Sequence, residues 1–140
     1  MIPIISLVIP AFNEAQRITP TVLAFDAALR TRGLPYEILV VDDGSKDATL
    51  AVCRALKAQL PQLSCIPGGV NRGKGYAVRI GMLAACGAIR VMVDADGSTP
   101  PSCLEVLLAP LMDGTADVAV GSRYVEGAQV ARAQPWWRRM

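Results

Sequence analysis

Asp94 and Asp96 stand two residues apart where the apolar run IRVMV ends. Carboxylates at that spacing, with Gly97 turning the chain behind them, can both reach one hard cation. The expected ion is Mg²⁺ or Mn²⁺, which keeps waters and takes further oxygens from a substrate diphosphate. Asn71–Gly75 (NRGKG) is a basic, glycine-rich turn leading into a helical pattern. Backbone N–H groups at such a helix start bind anions, and Arg72 and Lys74 add positive charge. Asp42 and Asp43 follow Val40-Val41, and either can accept a hydrogen bond from a base N–H or a ribose hydroxyl, while the other caps the next helix. Arg123, after Gly121-Ser122, is a candidate phosphate contact.

These groups need elements to position them, and the pattern alternates short apolar runs with amphipathic stretches. Strands are expected at Ile4–Ile9, Glu37–Val41, Leu63–Ile66, Ile89–Val93 and Asp117–Val120. Helices are expected from an N-cap at Thr19 to Gly33, from a cap at Asp47 through Leu50, Cys53, Leu56 and Leu60, over Gly75–Ala85 with Val78 and Met82 on one face, and from Pro100-Pro101 through Leu104, Leu107, Leu108 and Leu111. Continuous apolar strands joined by helices imply a mainly parallel sheet covered on both faces. In such α/β sheets ligands bind beyond the carboxyl ends of the strands. Here those ends read PAFNE, DDGS, NRGKG, DADGS and GSRY, so every strand delivers polar groups or glycines to one edge.

Composition narrows the chemistry. The 140 residues carry 52% hydrophobic and 19% charged side chains, enough apolar content for a packed core. A net charge of +2 is too small to argue for nucleic acid as a partner. There is no histidine, which excludes Ser-His-Asp triads and His-ligated metals. Cys53, Cys65, Cys86 and Cys103 form no CxxC pair and are expected to be buried or half-buried free thiols. MIPIISLVIP lacks a basic start and runs into Asn13-Glu14, so it reads as a strand rather than a leader, and the expected location is the cytoplasm. A P-loop nucleotide hydrolase is the main rival, because Gly68, Gly73 and Lys74 match GxxxxGK, but Gly75 stands where Ser or Thr should hold magnesium.

Taken in order, SLVIPAFNEAQRI, EILVVDDGSKDAT, NRGKGYAVRIGMLAACG, VMVDADGSTPP and GSRY resemble a family 2 glycosyltransferase with a GT-A fold, a Rossmann-like, mainly parallel α/β sheet flanked by helices. The NRGKG…AVRIGM run with DADGSTPP is similar to the dolichyl-phosphate β-glucosyltransferase and polyprenyl-phosphate sugar transferase branch. The resemblance implies that Pro10, Ala11, Asn13, Glu14 and Asp42 or Asp43 hold base and ribose, and that Arg72 and Lys74 lie by the phosphates. It further implies that Asp94 and Asp96 form the metal and sugar-nucleotide site and that Arg123 binds donor or acceptor phosphate, making Asp94, Asp96 and Arg123 the catalytic set. The implied donor is a nucleotide sugar, UDP-glucose before GDP-mannose, and the implied acceptor a polyprenyl phosphate. Tyr76 departs from the small residue common in that branch, which loosens the donor assignment. Residues 1–124 are expected to be the nucleotide-sugar domain and 125–140 the start of an incomplete acceptor-side segment, which leaves a binding fragment without turnover as a second rival. Trp136, Trp137, Arg138 and Arg139 suit either an amphipathic helix or contact with the cytoplasmic face of an anionic membrane.

Overall fold

The computed structural model describes residues 2–122. Arg123 and the 125–140 segment therefore lie outside the described residues. The chain divides into two compact units, Met1–Leu104 and Glu105–Met140.

The first unit is built on four strands: β1 (Ile5–Ala11), β2 (Tyr36–Asp42), β3 (Leu63–Pro67) and β4 (Ile89–Met92). Their order is β3-β2-β1-β4, and every pairing is parallel. All seven residues of β1 are buried, as a strand covered on both faces must be. The helices between them are α1 (Ile18–Thr31), α2 (Thr49–Lys57) and α3 (Lys74–Ala84). One core cluster lies between α3 and the sheet, where Val8, Leu39 and Val41 meet Ala77 and Ala85, with Ile66, Ile80 and Met82 packed against them.

Small residues set that distance. The fully buried residues of α3 are Ala77 and Gly81, while Val78 and Met82, one turn apart on one face, are half-buried, with Met82 packed against the core. A Cβ on Gly81 would fall 2.3 Å from Val8 Cγ1, so α3 lies too close to β1 for a larger side chain. That approach brings the helix start, and Lys74 with it, over the carboxyl ends of the strands.

The helix starts differ from expectation. Arg17, not Thr19, is the N-cap of α1, and Ala48, not Asp47, is that of α2; neither makes a side-chain cap bond. Thr19 is already inside the helix, and Asp47 is engaged one residue earlier in a local turn, accepting from Thr49 N–H at 2.9 Å. Cys53 is buried on α2, and a hydrogen bond with Cys65 together with burial pushes its thiol pKa up, so it behaves as packing. Cys86 is exposed rather than buried, because it follows the end of α3, where its N–H donates to Glu37 Oε1 at 2.7 Å. Among the described residues all four cysteines are free.

The helix α4 (Cys103–Met112) starts after two turns closed on Pro100 and Pro101, whose carbonyls accept from Cys103 and Leu104 N–H at 3.0 Å each. In the second unit Thr115 and Ala116 fold back on the Pro110 carbonyl, and Gly114 turns the chain with φ 75°. The expected strand at Asp117–Val120 does not form. No ladder partner meets it among the described residues, and Val118 and Val120 are 76% and 81% exposed. An apolar run becomes a strand only when its backbone finds a partner. No helix among the described residues is long and apolar enough to cross a membrane.

Candidate functional site

Strand order reverses at β1: β2 and β3 lie on one side and β4 on the other. Such a switch point opens a crevice beyond the strand ends, the usual ligand site in this architecture. A cavity of about 430 Å³ lies there. Pro10, Ala11, Phe12 and Glu14 come from the end of β1, and Asp43 from the end of β2. Asn71, Gly73, Lys74 and Ala77 come from the turn and first residues of α3, and Asp94, Ala95 and Asp96 from the end of β4.

Two loops are stitched together on one side. Asn13, in the left-handed region at φ 54°, donates its N–H to Ser45 Oγ and accepts from Lys46 N–H through Oδ1, both at 2.9 Å. Glu14 N–H donates to Thr49 Oγ1 at 2.8 Å, and Ala15 N–H to Asp47 Oδ2 at 3.2 Å. Thr49 is fully buried and donates its hydroxyl to Asp47 Oδ1 at 2.5 Å. Glu14 carries Arg17 in a two-pronged ion pair, at 2.7 and 2.9 Å. The Thr49 hydroxyl bond, followed by the backbone N–H groups of Thr49 and Ala15, holds Asp47 below the usual carboxylate pKa despite opposing desolvation. A folded pKa below the unfolded one gives stability that is present above the unfolded value and is lost as pH falls through the folded value. We expect the melting temperature to fall as pH drops below about 4, and Asp47→Asn to flatten that acid limb while lowering stability at neutral pH. Thermal melts of both proteins across the acid range check this.

The opposite wall is organised by Asp43. It is 4% exposed, and its two oxygens accept the backbone N–H groups of Arg72 and Gly73 at 2.9 and 2.8 Å. Those N–H groups, expected to face an anion, are taken by this carboxylate, so positive charge enters the cavity through the Lys74 side chain. Gly44 allows the turn to come this close: a Cβ there would fall 2.5 Å from Asn71 N, and its φ is 72°. Asp42 is equally buried but does not line the cavity. Its Oδ2 accepts from Ser45 N–H at 3.3 Å, while Oδ1 has no partner. Arg72 also stands off the cavity, with its guanidinium 4.9 Å from the centre of the Tyr76 ring. Tyr76, the departure noted in the sequence, thus gives Arg72 a stacking partner.

On the floor, Asp94 Oδ1 accepts from Lys74 Nζ in an ion pair. Asp96 Oδ1 accepts from Ser98 N–H at 2.9 Å. Partial burial works to raise the Asp96 pKa, but the Ser98 hydrogen bonds and the Arg17 charge outweigh it and hold the carboxyl below its usual range. Between them, the Ala95 carbonyl receives the buried Thr21 hydroxyl at 2.9 Å, which ties the acidic loop to α1.

A divalent ion fits this donor set. The described residues contain no cluster of three or more ligating side chains. Mg²⁺ and Mn²⁺ commonly take only one or two carboxylates and complete their shell with water and phosphate oxygens. The Lys74 ammonium already holds Asp94 as a cation would.

Of the residues singled out from the sequence, Pro10, Ala11, Glu14, Asp43, Lys74, Asp94 and Asp96 converge on the cavity. Asn13, Asp42 and Arg72 do not line it, and Asn13 acts on the neighbouring loop. Thr21 and Thr49 were not singled out, since both lie within helices, where a threonine carries no signal of such a role; Ser45 was named only as the last residue of the DDGS strand end.

A four-stranded parallel sheet flanked by helices, with a polar cavity at its switch point, is an α/β arrangement of the GT-A type. The chain belongs to glycosyl transferase family 2, whose sequence model matches residues 6–139. It is 35% identical over 136 residues to the dolichol-phosphate mannosyltransferase of Pyrococcus furiosus, covering 97% of this chain and 37% of that protein. It is 37% identical over 140 residues to the dolichyl-phosphate beta-glucosyltransferase ALG5C of Trichomonas vaginalis, covering 93% of this chain and 42% of that one. The chain therefore spans less than half the length of these relatives. Among solved structures it resembles the mannosyltransferase PcManGT of Pyrobaculum calidifontis in complex with GDP-Man and Mn²⁺, with TM-score 0.58 and 28% identity over 69% of this chain and 28% of that one.

Proposed function

We propose that this chain supplies the donor half of an inverting glycosyltransferase that moves a hexose from a nucleotide sugar to a polyprenyl or dolichyl phosphate. The observation that carries this reading is the convergence of Asp43, Lys74, Asp94 and Asp96 on one switch-point cavity. Asp94 and Asp96 would hold Mg²⁺ or Mn²⁺. The ion supplies Lewis-acid neutralisation of the diphosphate leaving group. Lys74 offers a mobile positive charge to the same phosphates, and Asp43 presents its remaining lone pairs from a fixed wall toward the base and ribose. Pro10, Ala11 and Phe12 supply the apolar surface beside them. A lipid phosphate is already anionic near neutral pH, so its oxygen needs no general base to attack the sugar, and a chain without histidine is suited to it. Arg123 is proposed as a phosphate contact, and the protein is proposed to work in the cytoplasm against the membrane face that presents the lipid.

Glucose from UDP-glucose is the favoured hexose, on the NRGKG…DADGSTPP pattern and the named glucosyltransferase relative. GDP-mannose is the second reading, favoured by the mannosyltransferase relative and the GDP-Man complex. A P-loop reading is not favoured, because Asp43 already consumes the turn N–H groups that a P-loop turns toward phosphate.

The test is transfer of labelled hexose from each donor to a short polyprenyl phosphate with Mn²⁺ present. Labelled lipid from UDP-glucose, with less from GDP-mannose, supports the proposal. Binding of donor without any lipid product supports the fragment reading instead.

A further inference from the structure

Resting on the proposed donor site, we propose that Lys74 is a built-in competitor for the divalent ion at Asp94, and that the arriving diphosphate draws it away. Asp94 accepts the Lys74 ammonium through Oδ1, and both side chains are partly exposed, 57% for Lys74 and 42% for Asp94. The pair is therefore reversible, not a buried structural bridge. Both residues line the one cavity, from opposite elements: Lys74 is the first residue of α3, and Asp94 follows β4. The turn before Lys74 is fixed, since Asp43 holds the backbone N–H groups of Arg72 and Gly73. Only the flexible lysine stem needs to move, and four carbons give it reach across the cavity.

The consequence is a coupling between two ligands. Without a nucleotide, a divalent ion must displace an ammonium from Asp94, so metal alone binds weakly. A diphosphate offers Lys74 a second anion, frees Asp94, and so raises metal affinity beyond the direct metal–phosphate contact. By linkage, metal raises diphosphate affinity by the same factor. The site is thereby kept from loading metal before its donor.

Mn²⁺ binding to the full chain, read by the loss of the free-ion paramagnetic signal, tests this without turnover. Lys74→Met should bind Mn²⁺ alone roughly two- to fivefold more tightly than the parent, the scale expected for releasing a partly exposed charge pair. The same variant should bind UDP or GDP in Mn²⁺ more weakly, and the metal–nucleotide coupling factor should shrink. Lys74→Arg, which keeps the charge, should stay within about twofold of the parent for Mn²⁺ alone. Circular dichroism confirms that each variant is folded. Unchanged or weaker Mn²⁺ affinity in folded Lys74→Met overturns the competition while leaving the donor-site reading standing. Mn²⁺ affinity unaffected by Asp94→Asn, in the parent and in Lys74→Met alike, overturns the donor-site reading itself and the competition with it.

Discussion

Asp96→Asn is expected to weaken Mn²⁺-dependent binding of the nucleotide sugar by about a hundredfold or more, with the fold intact, since loss of a charged ligand exceeds the tenfold to hundredfold seen for outer-shell partners. Asparagine keeps the side-chain oxygen that accepts from Ser98 N–H, so the turn at Gly97 retains its tie. What disappears is the negative charge that hydrogen bonds from Ser98 and the field of Arg17 keep in place. Calorimetric titration with and without Mn²⁺, beside a thermal melt, separates the two effects. The melting temperature should stay close to that of the parent while the metal-dependent increment vanishes. If the mutant binds as the parent does, Asp96 holds no metal.

Asp43→Ala is expected to damage both fold and site. The buried carboxylate accepts two backbone N–H groups, and truncation leaves both without their partner beside a cavity. Loss of such charge-assisted bonds costs about 2–4 kcal/mol. In a chain of this size that corresponds to a fall in melting temperature of roughly 5–15 °C. The Asn71–Lys74 turn, no longer pinned, should then lose its register over the cavity, and nucleotide affinity should fall by at least about tenfold. Asp42→Asn is the matched control. Asp42 is equally buried but does not line the cavity, so its substitution should alter stability more than nucleotide affinity. Equal losses of affinity in the two mutants would contradict the assignment of the cavity wall to Asp43.

The parallel architecture was legible because its signals are local. Four apolar runs with turn residues between them became four parallel strands, and the polar groups at their ends met at one edge. The expected strand at Asp117–Val120 shows the limit of that reasoning. Val118, Ala119 and Val120 have strand-like character, but pairing depends on a neighbour the local pattern does not name. The site was legible as a set of residues and not as a set of contacts. Asp42 and Asp43 are adjacent and chemically identical, and only the end of β2 decides that Asp43 grips the turn 29 residues later while Asp42 turns back to Ser45. Lys74 and Asp94 are 20 residues apart, and their ion pair exists because α3 crosses back over β1 to reach β4. Thr49 left no signal of its role, since a buried threonine in a first helical turn is ordinary until Glu14 N–H arrives from 35 residues away. In α3 periodicity marks the face of Val78 and Met82, which is half-buried, whereas close approach to the sheet selects Ala77 and Gly81 as the fully buried residues.

The central claim is that this cavity binds a nucleotide sugar through a divalent ion held by Asp94 and Asp96. Calorimetric titration of the folded chain with UDP-glucose and with GDP-mannose, each with Mn²⁺ and with chelator, tests it most directly. The account predicts saturable one-to-one binding that requires Mn²⁺, tighter for UDP-glucose. Binding of neither donor with Mn²⁺ present, or binding indifferent to the metal, would contradict it.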